Sequence, residues 1–187
     1  DRKLTEYDAL AEAAAAVPGV IRTAPLIKGQ VMASLRQRSA GVEVFGISAA
    51  NIATLPGIAQ SEAAIGDLSR FDEGVALGSG VARELGVSVG DRIKLISPNG
   101  VKTAFGTSPR VNAYEVVYIF TAGRYDIDRT RLYMPFAEAQ SYFNREGFAD
   151  EIEVMVEDPE TVDRMVLPLL QAGDEVASGI GVWTWRD

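Results

Sequence analysis

The stretch GVALGSGVARELGVSVGDRIKLIS, residues 74–97, constrains the fold more than any other part of the chain. Val75-Ala76-Leu77 is a short strand signal. A helix follows at once over Gly78 to Leu85, and Gly86 stands at its C′ position. A glycine there can take the left-handed backbone that ends a helix. Ser88-Val89-Gly90-Asp91 then reads as a turn, and Arg92 to Ser97 as a strand with Ile93 and Leu95 on one face.

The remaining segments fit the same mixture. Thr5 to Val17 carries a helical stripe of Leu10, Ala13, Ala14 and Val17; Thr5 and Asp8 have capping-box spacing, and Pro18-Gly19 closes the helix. Residues 20–37 and 41–48 are rich in β-formers and flank Arg38-Ser39-Ala40-Gly41, which predicts a long hairpin. Pro25 and Gly29 mark its first strand as irregular or at an edge. Residues 49–59 read as a connector, and Ser61 to Leu68 as a short helix. Strands are predicted at Tyr114 to Phe120, around Arg129 to Pro135, at 151–157 and at 177–185. Helices are predicted at Phe136 to Asn144 and Pro159 to Ala172. In the 151–157 run, Ile152, Val154 and Val156 are expected to face inward. Helices and strands alternate irregularly with hairpins among them, so the expected class is α+β with a mixed sheet.

Composition removes several function classes. The chain of 187 residues suits one domain or two small lobes. Its net charge of −8, from 18 basic and 26 acidic residues, argues against general nucleic-acid binding. Without cysteine there is no disulfide and no thiolate zinc site, and without histidine there is no Ser-His-Asp chemistry. No apolar run approaches the ~20 residues of a membrane helix. No signal peptide opens the chain, and both ends look cut, which suggests a soluble segment of a longer protein.

Four features compete as sites. Gly78-Ser79-Gly80-Val81-Ala82-Arg83 has two glycines of a dinucleotide fingerprint, but Arg83 replaces the third, so a tight strand-to-helix turn is the expected role. Asp126 and Asp128 sit among arginines, which favours local ion pairs over a cation site. Trp183 and Trp185 would share one side of a last strand, on a core face or in an interfacial belt. The segment Ser97 to Arg110 is longer than ordinary hairpin loops. Between Arg92 and Tyr114 there are four basic residues and no acid. Pro98 and Pro109 stiffen the two arms, Asn99-Gly100 is a turn signal, and Phe105-Gly106 puts a large apolar group near the tip. A stiff basic projection of this kind suits docking to an acidic, partly apolar partner.

VALGSGVARELGVSVGDRIKLISPNG, GTSPRVNAYEVVYIFTAGRYDIDRTRLYMPFAEAQ and the terminal VWTWRD together resemble the periplasmic domain of lipoprotein-releasing ABC transporter permeases of the LolC/LolE family, related to the macrolide-exporter-type periplasmic core domain. The resemblance implies a two-lobed domain on the periplasmic face of a Gram-negative inner membrane. A discontinuous first, Porter-like lobe would take residues 1–59 and 148–187. An inserted Sabre-like lobe would take 60–147 and carry a projecting hook-like β-hairpin at 97–110. It implies a carrier-binding set of Pro98, Asn99, Gly100, Lys102, Phe105, Gly106, Pro109 and Arg110. The implied partners are a soluble lipoprotein carrier of the LolA type, lipoprotein substrates, a second permease subunit and a separate cytoplasmic ATPase. No catalytic residue, metal or cofactor is expected. The alternative is an efflux-type permease domain that docks an outer-membrane channel or adaptor.

Overall fold

The computed structural model describes residues 4–177 and 180–184, and all but the side chain of Asn99 within them. In chain order the elements are α1 (Tyr7–Ala15), β1 (Val20–Leu35), β2 (Arg38–Ile47), α2 (Ala49–Ile52), β3 (Ile65–Gly66), β4 (Val75–Gly78), α3 (Ser79–Leu85), β5 (Arg92–Thr103), β6 (Gly106–Phe120), α4 (Tyr125–Asp128), β7 (Arg131–Pro135), α5 (Phe136–Tyr142), β8 (Glu151–Val156) and α6 (Val162–Asp174). The fold is α+β, as expected. The chain divides into two compact units, Asp1–Leu26 with Gly147–Asp187, and Ile27–Glu146. The resemblance implies lobe boundaries at 59/60 and 147/148. The units divide at 26/27 and 146/147 because residues 27–47 are hydrogen-bonded into the sheet of the second unit.

In the first unit, residues 20–26 of β1 pair antiparallel with β8, and Leu4 bridges Ala149. Helix α1 packs against β8 and α6, with Leu10 and Val17 buried. The Thr5–Asp8 capping box is not made: Glu6 is the N-cap and no side chain caps the helix. The irregularity of β1 lies between Val20 and Arg22, not at Gly29, which sits in regular register with Val44. Every residue of β8 is half-buried, so the expected in–out contrast is absent. The last predicted strand does not form at 177 or 180–184; its other residues, Trp185 among them, lie outside the described set. Trp183 is largely exposed.

The second unit is a six-stranded barrel. Going round it, β1 (from residue 27) pairs with β2, then β7, β4, β6 and β5, and β5 returns to β1. The β2–β7 and β4–β6 pairs are parallel and the other four antiparallel. Closure removes open edges from the staves. Alternation fills the interior: Ile93 and Leu95 of β5 point in with Val42, Val44, Leu77, Val116 and Leu132, while Arg92 and Lys94 point out. The helix α3 starts one residue later than expected and ends as expected, with Gly86 left-handed at φ 70°. Helix α5 lies so close on β2 that a Cβ at Gly46 would collide with that of Ala139.

A second apolar layer covers one outer side of the barrel. Residues 49–73 lay Ile52, Leu55, Ile58 and Phe71 down as buried residues, alongside buried Phe45, Tyr118, Phe120 and Tyr133 of the strands. Tyr118 donates its hydroxyl to the Ile58 carbonyl at 2.6 Å. Within this layer the helix expected at 61–68 is replaced by the short strand β3 on β6 and a 3-10 turn at Leu68–Glu73. Gly66, at φ 95°, runs against the Val117 carbonyl, an approach no side chain could survive. Local helical propensity lost to this backbone contact.

Candidate functional site

The long segment from Ser97 to Arg110 is a true hairpin, with its tip at Phe105 and no reverse turn at Asn99-Gly100. β5 and β6 continue past the barrel as the pairs Val101↔Ser108, Lys102↔Thr107 and Thr103↔Gly106. The turn is Ala104-Phe105, and Gly106 takes φ 118°, the left-handed side that favours glycine. The Thr103 hydroxyl locks the tip: it donates to the Gly106 carbonyl at 2.7 Å and accepts from the Phe105 amide at 3.3 Å. The Phe105 side chain stands fully in solvent. Lys102, Gly106 and Pro109 are exposed with it.

Asn99-Gly100, the expected turn, lies inside β5, where the register slips between Ser97 and Val101. Gly100 is buried, and a Cβ there would meet the Cβ and backbone of Arg110. The glycine therefore serves close strand approach, not a reverse turn.

Arg110, expected among the carrier-binding residues, is half-buried, and its guanidinium is engaged by groups of its own domain. One Nη donates to the Ser141 carbonyl at the end of α5, and the other to Asn144 Oδ1 at 2.9 Å and the Gly100 carbonyl at 3.3 Å. Two residues along β6, Asn112 donates to the Tyr114 hydroxyl at 3.1 Å, which donates to Glu138 of α5 at 2.6 Å. Burial and the bond to Glu138 push the Tyr114 phenol well above its ordinary range. So Arg110, Asn112 and Tyr114 form a polar row on the face of β6 turned toward α5.

The other face of the same strands is bare. Met32, Ile96 and Val111 are cross-strand neighbours on β1, β5 and β6, and Met32 and Val111 are 45% and 52% exposed. A groove of about 640 Å³ runs here, lined also by Gly41 and Val42 of β2, by Pro98 and Pro109 of the hairpin, and by the polar groups of Gln30, Glu43 and Thr130. It offers shape and apolar contact but no acid–base pair.

The rival sites are structural. Gly78 and Gly80 face Asp128 and Arg129 so closely that a Cβ at either would come within 2.6 Å of those residues, so the glycines serve packing. Asp128 is buried and accepts from the amides of Ala122 at 2.7 Å and Gly123 at 3.1 Å. Asp126 pairs at the surface with Arg124 at 3.0 Å, the local ion pair expected of it. Among the described residues no cluster of three or more acids is placed to hold a metal.

A family model for the MacB-like periplasmic core domain matches residues 1–166. The lipoprotein-releasing system transmembrane protein LolC of Neisseria meningitidis serogroup B is 23% identical over 178 residues, which covers 90% of this chain and 41% of that protein. The chain thus spans about two fifths of the length of this relative. Among solved structures, the extracellular domain of the noncanonic ABC-type transporter YknZ from Gram-positive bacteria superposes with a TM-score of 0.59 at 14% identity, covering 92% of this chain and 83% of that one. The periplasmic region of MacB from Actinobacillus actinomycetemcomitans gives 0.51 at 10% identity, covering 89% and 74%. At these identities the structural likenesses speak to fold.

Proposed function

The chain belongs to the MacB-like periplasmic core domain family, and from that premise we propose that it is the periplasmic domain of an inner-membrane ABC transporter permease that releases lipoproteins to a soluble carrier. The domain carries no chemistry of its own in this reading. A separate cytoplasmic ATPase supplies the work, a second permease subunit pairs with this one, and the hairpin holds a carrier of the LolA type while the lipoprotein is transferred. The observation that carries the reading is Phe105, a fully exposed aromatic at the tip of a hairpin without acids in a chain of net charge −8. The similarity to LolC, the protein whose name states lipoprotein release, supports the choice of cargo.

Interface energy concentrates in a few aromatic and arginine anchors. Phe105 is the anchor here, and Lys102 is a rim charge that acts on encounter rate and salt dependence. Phe105→Ala is expected to weaken carrier binding by ~2 kcal/mol, roughly thirtyfold. The test is titration of purified carrier against wild type, Phe105→Ala and a variant with residues 101–108 replaced by a Gly-Gly turn. Unchanged affinity in the shortened variant would exclude the hairpin as the dock. Capture of an outer-membrane channel or adaptor in place of a soluble carrier would shift the reading to an efflux-type permease.

A further inference from the structure

We infer that Arg110 and Asn144 form a latch that sets the direction in which the hairpin leaves the barrel, and so act as positioning residues for the docking proposed above, on which the inference rests. Three observations converge. First, only three residue pairs hold the hairpin beyond the slip at Ser97/Val101. A two-stranded ribbon of that size is marginal in water and does not fix its own direction. Second, the slip is where the strands are tied to something rigid. The Asn144 side chain uses both ends of its amide: Nδ2 donates to the Gly100 carbonyl at 2.7 Å, and Oδ1 accepts from Arg110. Arg110 reaches the same Gly100 carbonyl with one Nη and the Ser141 carbonyl with the other. One arm of the hairpin contributes Gly100 and the other Arg110, so the knot ties both arms to the end of α5. Third, Asn144 is one of two non-glycine residues with positive φ among those described, at 56°. That conformation costs little for asparagine and turns the chain back toward the hairpin base.

The guanidinium is well chosen for this place. Free carbonyls at a helix end attract a cation, and a planar fork can serve two acceptors at once where a lysine serves as a point charge. Its Nε is buried and finds no acceptor among the described residues, so the bonds are made by the two Nη groups alone. A hairpin held in one direction loses less freedom on docking than a swinging one.

The chain has no cysteine, so two introduced ones take spin labels cleanly. Thr107→Cys on the hairpin and Ser39→Cys at the start of β2 are both exposed and both lie in the barrel unit. Electron–electron distance measurement should give one narrow distribution for this pair. Asn144→Gly keeps the left-handed backbone and removes the amide; Arg110→Met removes the fork. Each should widen the distribution by about twofold or more while the thermal melt still shows a folded barrel. Arg110→Lys should not restore the width, and Phe105→Ala should leave it unchanged. The same variants, unlabelled, are titrated with the soluble carrier, and the latch variants should bind about tenfold more weakly. If Asn144→Gly and Arg110→Met keep the narrow distribution, the latch is wrong. If Arg110→Met fails to melt as a folded protein, Asn144→Gly alone decides. Wider distributions with unchanged carrier affinity would overturn the positioning role. A wild-type chain that ignores the carrier while the widths respond as described would overturn the docking reading and leave the latch standing.

Discussion

β5 and β6 lead two lives. As far as Ser97 and Arg110 they are staves of a closed barrel, with Ile93, Leu95 and Val116 in its core. Beyond that point the same two strands are a ribbon with an exposed tip and no layer beneath. The half inside the barrel draws its order from burial and from neighbours on both sides. The half outside draws it from a tip locked by Thr103 and from the knot at Gly100, Arg110 and Asn144. Under the docking proposed above, recognition and stability fall to one pair of strands without competing, provided the boundary between them is pinned.

Four measurements break or sharpen that contrast. The largest effect is expected from Ile93→Ala, fully buried in the barrel, which should lower unfolding free energy by about 2–5 kcal/mol in denaturant titrations. A loss as small as that of a surface change would mean the barrel is not the stabilising core. Next is Gly100→Ala at the boundary itself. The new methyl has no room against Arg110, so the strands must part, at about 1–3 kcal/mol. Hydrogen exchange should show amides of 99–108 and Arg110 opening while the amides of Ile93 and Leu95 stay protected.

The third measurement is alkaline titration. Burial raises the Tyr142 phenol from its ordinary value near 10 to about 12, against a smaller opposing pull from Arg110. The folded state therefore keeps a proton that the unfolded chain gives up first. Its contribution is complete below pH 10 and is lost as pH rises through about 12. Tyr142→Phe should flatten the fall in stability over that window, and Tyr114, raised in the same sense, should account for part of what remains. The smallest effect belongs to Phe105→Ala, within about 0.5 kcal/mol of wild type in stability despite its expected loss of carrier affinity. A larger shift would show that the tip packs on something.

Several staves of the barrel were legible from residues alone, but its closure was not, and residues 27–59 were assigned to the other lobe. Alternation at Ile93 and Leu95 and the stop at Gly86 are local signals, and both survive because neighbouring strands reinforce them. Phe105 was legible as a tip residue because glycine follows it. The bonds of Arg110 were not legible for a physical reason: sequence shows a charge beside a proline, and only the third dimension brings it to the end of α5. Asn99-Gly100 misled because a strong turn dipeptide also fits a bulge, and the deciding contact, the backbone of Arg110, is distant in the chain as drawn. The helix expected at 61–68 failed on Gly66 lying against Val117. Asn144 carried no signal: it reads as the last residue of the helix predicted over Phe136 to Asn144, which in fact ends at Tyr142.

The order of the staves has a consequence in time. β1 and β2 are adjacent in sequence and can meet as soon as both exist, but the other neighbour of β2 is β7, so Glu43 must wait for Arg131. β4 likewise waits for β6, its parallel partner. Parallel, distant pairings delay the reward for closing large loops, so refolding of this unit is expected in milliseconds to seconds, and stopped-flow fluorescence of the barrel tyrosines measures it. Until β7 arrives, β2 has an open edge that any passing strand could extend. The ring that leaves the finished protein without open staves is thus the arrangement that keeps the newborn chain unguarded longest.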